Sequence, residues 1–161
     1  MLRTECAVLV GTFKAADISP LAPSGSQIVR DGYTLLVNDG VLQILASSGD
    51  EPAIVQRAVL DVLKATLGKP MGWSGLGCNF IFDDAQAPLT VGGRLAEQLT
   101  GSVSAGELPT DHGRLRITSA AGQHQFNFHR DVQTSEDIIA CLDRWSEMRA
   151  EAVALMTDTT S

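Results

Sequence analysis

Apolar and polar residues alternate at every second position over much of this chain, and helical spacing interrupts the alternation near the middle and at the end. Cys6 to Phe13 is a β-rich run with no room for helix caps, so it reads as a first strand. Ala15 to Gln27 carries Pro20, Pro23, Ser24, Gly25 and Ser26 and predicts a turn-rich surface loop. Two strands follow, Tyr33 to Val37 and Val41 to Ala46. Asn38-Asp39-Gly40 lies between them, and its Asp-Gly pair can take the positive φ angles of a tight hairpin. A helix then opens near Asp50. Ser48 or Asp50 can cap it, Glu51 suits the positive end of its dipole, and Pro52 fits its first turn. Val55, Val59, Val62 and Leu63 recur at helical spacing with Ala58 beside them, while Gly68 and Pro70 end the element.

Gly72 to Gly77 then predicts a turn into a strand at Cys78 to Asp83, and Pro88 to Leu99 a short helix weakened by Gly92 and Gly93. The polar, glycine-containing stretch 101–113 reads as a flexible connection. Arg114 to Ser119 and Gln123 to Val132 form a second hairpin around Ala120-Ala121-Gly122. Thr134 caps the last helix, with Asp137 three positions on as a short capping box. Ile138, Cys141 or Leu142, Trp145, Met148, Ala152 and Leu155 or Met156 make one apolar stripe along about twenty residues.

The order β-β-β-α-β-(α)-β-β-α, dominated by hairpins, predicts an α+β fold. Its sheet is mostly antiparallel, with two or three helices packed on one face. A single domain over 1–156 with a frayed polar tail, 157–161, fits the length of 161 residues. Asn79-Phe80-x-x-Asp83 recurs as Asn127-Phe128-x-x-Asp131; a duplicated half-domain would produce this, and so would chance.

Composition narrows the function by exclusion. Hydrophobic residues make up 44% of the chain and charged residues 19%, enough for a core without disulfides or metal. No apolar run approaches the roughly 20 residues of a membrane span, and the Met1 to Cys6 start, with Glu5, is unlike a signal peptide. A cytoplasmic location is expected. Cys6, Cys78 and Cys141 are odd in number, widely spaced and set in apolar segments, so they read as buried thiols. The net charge of −7, with scattered cations, argues against a nucleic-acid partner.

Catalytic motifs fail on context. Gly72-Trp73-Ser74-Gly75-Leu76-Gly77 has Leu76 where a nucleophile elbow needs glycine, and its glycine order is wrong for a dinucleotide loop. His124 and His129 fall on opposite strand faces, and His112 sits in a loop, so neither a metal nor another cofactor is expected. One constellation remains. Gln125, Asn127, His129 and Asp131 share a strand face, with Phe126, Phe128 and His124 on the other. His129 beside Asp131 is the arrangement of a general base, with Asn127 as a further catalytic candidate. Asn79 and Asp83 extend the same row if their strand pairs nearby, which makes Asn79, Asp83, Asn127, His129 and Asp131 the candidate binding set. A half-exposed sheet face is also ordinarily polar.

Three functions are therefore open. The first is a non-catalytic protein-interaction or assembly module, self-associating or meeting a protein partner, such as an accessory or phage-type component. Ile138, Trp145 and Met148 on the last helix are its candidate interface, packed on the sheet or on a second subunit. The second is a small enzyme using His129 and Asp131 as general acid and base. The third is a small-ligand sensor.

Overall fold

The computed structural model describes residues 2–47, 54–83, 104–120 and 122–157. The helix expected over Pro88 to Leu99 and the capping residues Ser48, Asp50, Glu51 and Pro52 lie outside the described residues. In chain order the elements are β1 (Leu2–Val10), α1 (Ala15–Ile18), β2 (Ser26–Arg30), β3 (Tyr33–Asn38) and β4 (Val41–Ser47). Then come α2 (Ile54–Ala65), β5 (Gly75–Asp83), β6 (Ser104–Thr110), β7 (Gly113–Ala120), β8 (Gln123–Asp131), α3 (Ser135–Leu142) and α4 (Trp145–Thr157). The fold is α+β. Among the described residues, eight strands form one antiparallel sheet in the order β2-β3-β4-β1-β5-β8-β7-β6.

The sheet consists of two four-stranded halves with the same wiring. In each, the first strand lies at the centre, the chain crosses to the far edge, and two hairpins bring it back. A helical segment follows each return: α2 after β4, and α3 with α4 after β8. The halves meet where β1 pairs with β5. Turn chemistry sets the hairpins. Gly40 takes φ 79° between β3 and β4, and Gly32 takes φ 91° between β2 and β3, a region closed to most side chains.

The three substantial helices among the described residues cover one face. Ala7, Leu9, Leu42, Ile44, Leu76, Phe80, Leu115, Ile117, Phe126 and Phe128 point beneath them and are fully buried. These residues belong to one hydrophobic cluster that runs through both halves and includes Val55, Val59, Ile138 and Met148. A residue of the first half fastens the last helix. Glu5 on β1 is buried, and its Oε1 accepts from Trp145 Nε1 at 2.9 Å and from Arg149 Nε at 2.8 Å. The Trp145 ring also packs at a tilt against Phe80, their centroids 5.0 Å apart. Among the described residues no helix is long and apolar enough to cross a membrane.

Several expectations need correction. The turn-rich stretch from Ala15 holds α1 and the start of β2, and the connection expected over 101–113 contains β6. Both added strands are sheet edges. Gly75 and Gly77 lie within β5 rather than in a turn ahead of it. The last helix is two helices. Arg144 N–H bonds to Cys141 O at 3.1 Å, a tight turn that ends α3, and Met148 N–H then bonds to Arg144 O as α4 begins. The break lets both helices dock: Leu142 O at the end of α3 accepts from Gln56 Nε2 of α2 at 2.6 Å, while Trp145 reaches Glu5.

Candidate functional site

The face of the sheet opposite the helices carries the chemistry, and strand pairing determines what stands on it. Cys6 pairs with Leu45 and Asn79, Leu45 with Thr34, Asn79 with Asn127, Asn127 with Arg116, and Arg116 with Glu107. Directly opposed residues point the same way, so this row crosses one face from β3 to β6.

On the second half the face is polar. Gln125, His129 and Asp131 are exposed and Asn127 is half-buried, while Phe126, Phe128 and His124 are buried behind them, as period-two geometry requires. His129 Nε2 lies 3.7 Å from Asp131 Oδ1, beyond hydrogen-bond distance, and the Asp131 side chain is 96% exposed. Asn79 is only 2% exposed, and its Oδ1 accepts from Gln125 Nε2 at 3.0 Å. Asn127 Oδ1 is buried with no hydrogen-bond partner among the described residues. Arg114 Nε meets Glu107 Oε1 at 2.8 Å. The structure thus brings Asn79, Gln125 and Asn127 together and places His129 and Asp131 along the same strand. Asp83 is elsewhere. The β5–β8 ladder runs antiparallel, so Asp83 opposes Gln123 while Asp131 opposes Gly75 at the other end, and Asp83 pairs with Arg3.

The first half presents a different surface on the same face. From Thr4 to Val10 it shows Thr4, Val8 and Val10 on β1, with Cys6 buried between them; on β4 it shows Val41, Gln43, Leu45 and Ser47. Thr34, Leu36 and Asn38 of β3 and Gln27 and Val29 of β2 complete it. No Asp, Glu, Lys, Arg or His is among these residues. Val8, Val10, Leu36, Val41 and Leu45 are half-exposed, and Val29 at the sheet edge is 71% exposed. Sequence reasoning missed this patch because each strand, read alone, alternates in the ordinary way. The signal was that both phases of the alternation are apolar in β1 and β4. A shallow groove of about 500 Å³ lies at one end of the patch, lined by Thr4, Val29, Tyr33, Thr34 and Leu45 and bordered by the cation Arg30. Gly75 and Gly77 on β5 leave a seam between the halves. A Cβ at Gly77 would come 3.4 Å from Asn127 Oδ1 on one side and 3.7 Å from Val8 Cβ on the other.

Ile138, Trp145 and Met148 do not lie on a surface. Each is at most 2% exposed within the single chain, so the stripe packs against its own sheet. All three cysteines are free and buried. Burial pushes the Cys6 thiol up to about 12, with a backbone hydrogen bond at Ile44 opposing it, and burial raises Cys78 as well. Such thiols are poor nucleophiles. His112 Nε2 lies 3.8 Å from both Glu147 Oε2 and Glu151 Oε2, yet no group of three His, Cys, Asp or Glu could hold a metal among the described residues. No family model matches the sequence, and no curated protein matches it either.

Proposed function

We propose that this chain is a non-catalytic protein-interaction or assembly module, and that it docks through the aliphatic half of its open sheet face onto an uncharged, apolar protein surface. The observation that carries this reading is the contrast between the halves. A solvated antiparallel face is ordinarily polar, as it is over β8 and β7, whereas β1, β3 and β4 present valine and leucine without a charge. Exposed contiguous apolar patches of several hundred Å² mark interaction sites in folded proteins. Reading His129 and Asp131 as a general acid and base has less support, because the pair is solvated and neither burial nor a hydrogen bond fixes it.

The test is a paired substitution used as bait in the native host. Leu45→Lys places a charge in the aliphatic half, and Gln125→Lys places the same charge in the polar half. Loss of the bound protein with Leu45→Lys alone supports the reading. Equal retention by both variants, or loss with Gln125→Lys alone, refutes it.

A further inference from the structure

At the outer edge of the first half, a cleft of about 150 Å³ lies among the described residues between α1, α2 and the strands β2 and β3. We infer that this cleft binds a free α-amino acid with a short aliphatic side chain, taken as the zwitterion. The site is on the helix-covered face of the sheet, away from the docking surface, and does not rest on the docking reading.

Strand and helix spacing build its walls. On β3, Tyr33 and Leu35 alternate with Thr34 and so turn toward the helices; Arg30 opposes Tyr33 across the β2–β3 ladder and turns the same way. On α2, Asp61, Val62, Ala65 and Thr66 fall on one side of the helix, and α1 adds Ile18. The short helix α1 is tied at both ends. Ala15 N–H donates to Asp39 Oδ1 at 2.9 Å, and Lys69 Nζ donates to Asp17 O at 3.1 Å. That wall is held in place before a ligand arrives, which lowers the cost of binding one.

The lining combines an apolar interior with two opposite charges. Leu35 and Val62 belong to the buried core and Ile18 packs against it, so an aliphatic group entering here extends that core. Beside them stand one cation, Arg30, and one anion, Asp61, both exposed. The two form no ion pair, and the side chains of Arg30, Asp61 and Tyr33 hydrogen-bond to no other described residue. An unpaired cation and an unpaired anion at one apolar cleft fit a small molecule that carries both charges. The Arg30 guanidinium takes its carboxylate, the Asp61 carboxylate takes its ammonium, and the Tyr33 hydroxyl is a further donor to the carboxylate. Thr66 is not a partner, because its hydroxyl already donates to Val62 O at 2.8 Å.

Size and comparison narrow the ligand. A volume of about 150 Å³ suits valine or leucine and is too small for an aromatic amino acid. The larger groove on the open face shares Arg30 and Tyr33 but has no acidic residue in its lining, so nothing there receives an ammonium.

Leucine is the probe. In methyl and amide NMR of the full chain, added L-leucine should give saturable shifts centred on Ile18, Leu35, Val62 and Ala65, with Val8 and Gln125 on the other face unmoved. Leucinamide lacks the carboxylate and isocaproate lacks the ammonium, and each should bind about tenfold more weakly than leucine or worse. Arg30→Gln and Asp61→Asn replace exposed side chains, so the fold should survive, and each should weaken leucine by a similar factor. Leucine that gives no saturable shift overturns the inference. So does isocaproate or leucinamide that binds as tightly as leucine, and so does leucine binding that neither substitution changes. None of these outcomes bears on the docking reading, which Leu45→Lys tests on the opposite face.

Discussion

The two halves of the sheet have the same wiring and opposite surfaces. Strand order 2-3-4-1 in one and 5-8-7-6 in the other place a first strand at the centre, a second at the edge and a hairpin return between them. Beneath the helices both halves are apolar, because one core needs both. On the open face, where the core makes no demand, the first half shows Val8, Val10, Leu36 and Leu45, and the second shows Gln125, Asn127, His129 and Asp131. The topology requires neither choice. A fold fixes where side chains point, and the residues on a free face carry the function.

The largest expected effect concerns what holds the halves together. Glu5 of the first half is buried against Trp145 and Arg149 of the last helix. Arg149→Met leaves a buried carboxylate short of its counter-ion and should cost about 3–5 kcal/mol in a urea melt. Replacing both partners, Glu5→Leu with Arg149→Met, should recover much of that loss. A single variant that melts within about 0.5 kcal/mol of wild type, as ordinary surface substitutions do, shows that the tie between the halves lies elsewhere.

A smaller effect belongs to the second half, whose return strand leads into a capped helix. Thr134 Oγ1 accepts from Asp137 N–H, and Asp137 Oδ2 accepts from the N–H groups of Gln133 and Thr134. Thr134→Ala should cost about 1 kcal/mol. The Gln133 and Thr134 backbone bonds hold the Asp137 carboxyl below the ordinary carboxylate range. Its stabilisation is therefore complete above the unfolded pKa and lost as pH falls through the folded one. In an acid titration of stability, Asp137→Asn should flatten that arm, and an unaltered arm contradicts the assignment.

The smallest effect is expected on the polar row. His129→Ala and Asp131→Asn should each change stability by less than about 0.5 kcal/mol, since both side chains stand in solvent. A loss above 2 kcal/mol reveals a supporting contact that the 3.7 Å pair does not supply. Loss of a biological activity in a variant that remains folded instead restores the acid–base reading of this row.

The legibility of the sequence follows the same division. Core strands and hairpins were readable because burial on one face writes a period of two, and Phe126 and Phe128 against Asn127 and His129 show it. The two strands that escaped, β2 and β6, are the edges of their halves. An edge strand is held by backbone pairing on one side and needs little apolar pattern: β2 has no fully buried residue, and Pro109 sits within β6. The break between α3 and α4 was hidden for a related reason. No glycine or proline marks Asp143-Arg144, and the turn there is set by distant partners, Gln56 and Glu5. The recurring Asn-Phe-x-x-Asp pattern compared β5 with β8, which are paired neighbours within one half. By topology the counterpart of β5 is β1 and that of β8 is β4. The aliphatic patch was illegible because it exists only once four strands are assembled side by side.

Methyl and side-chain NMR of the chain, alone and with the protein it retains from its native host, asks most directly which half of the open face makes contacts. The account predicts shifts at Val8, Val10, Leu36, Val41 and Leu45 on adding that protein, with the side-chain signals of Gln125, Asn127 and His129 unmoved. Shifts confined to the polar row, or aliphatic signals that stay fixed in the complex, would contradict it.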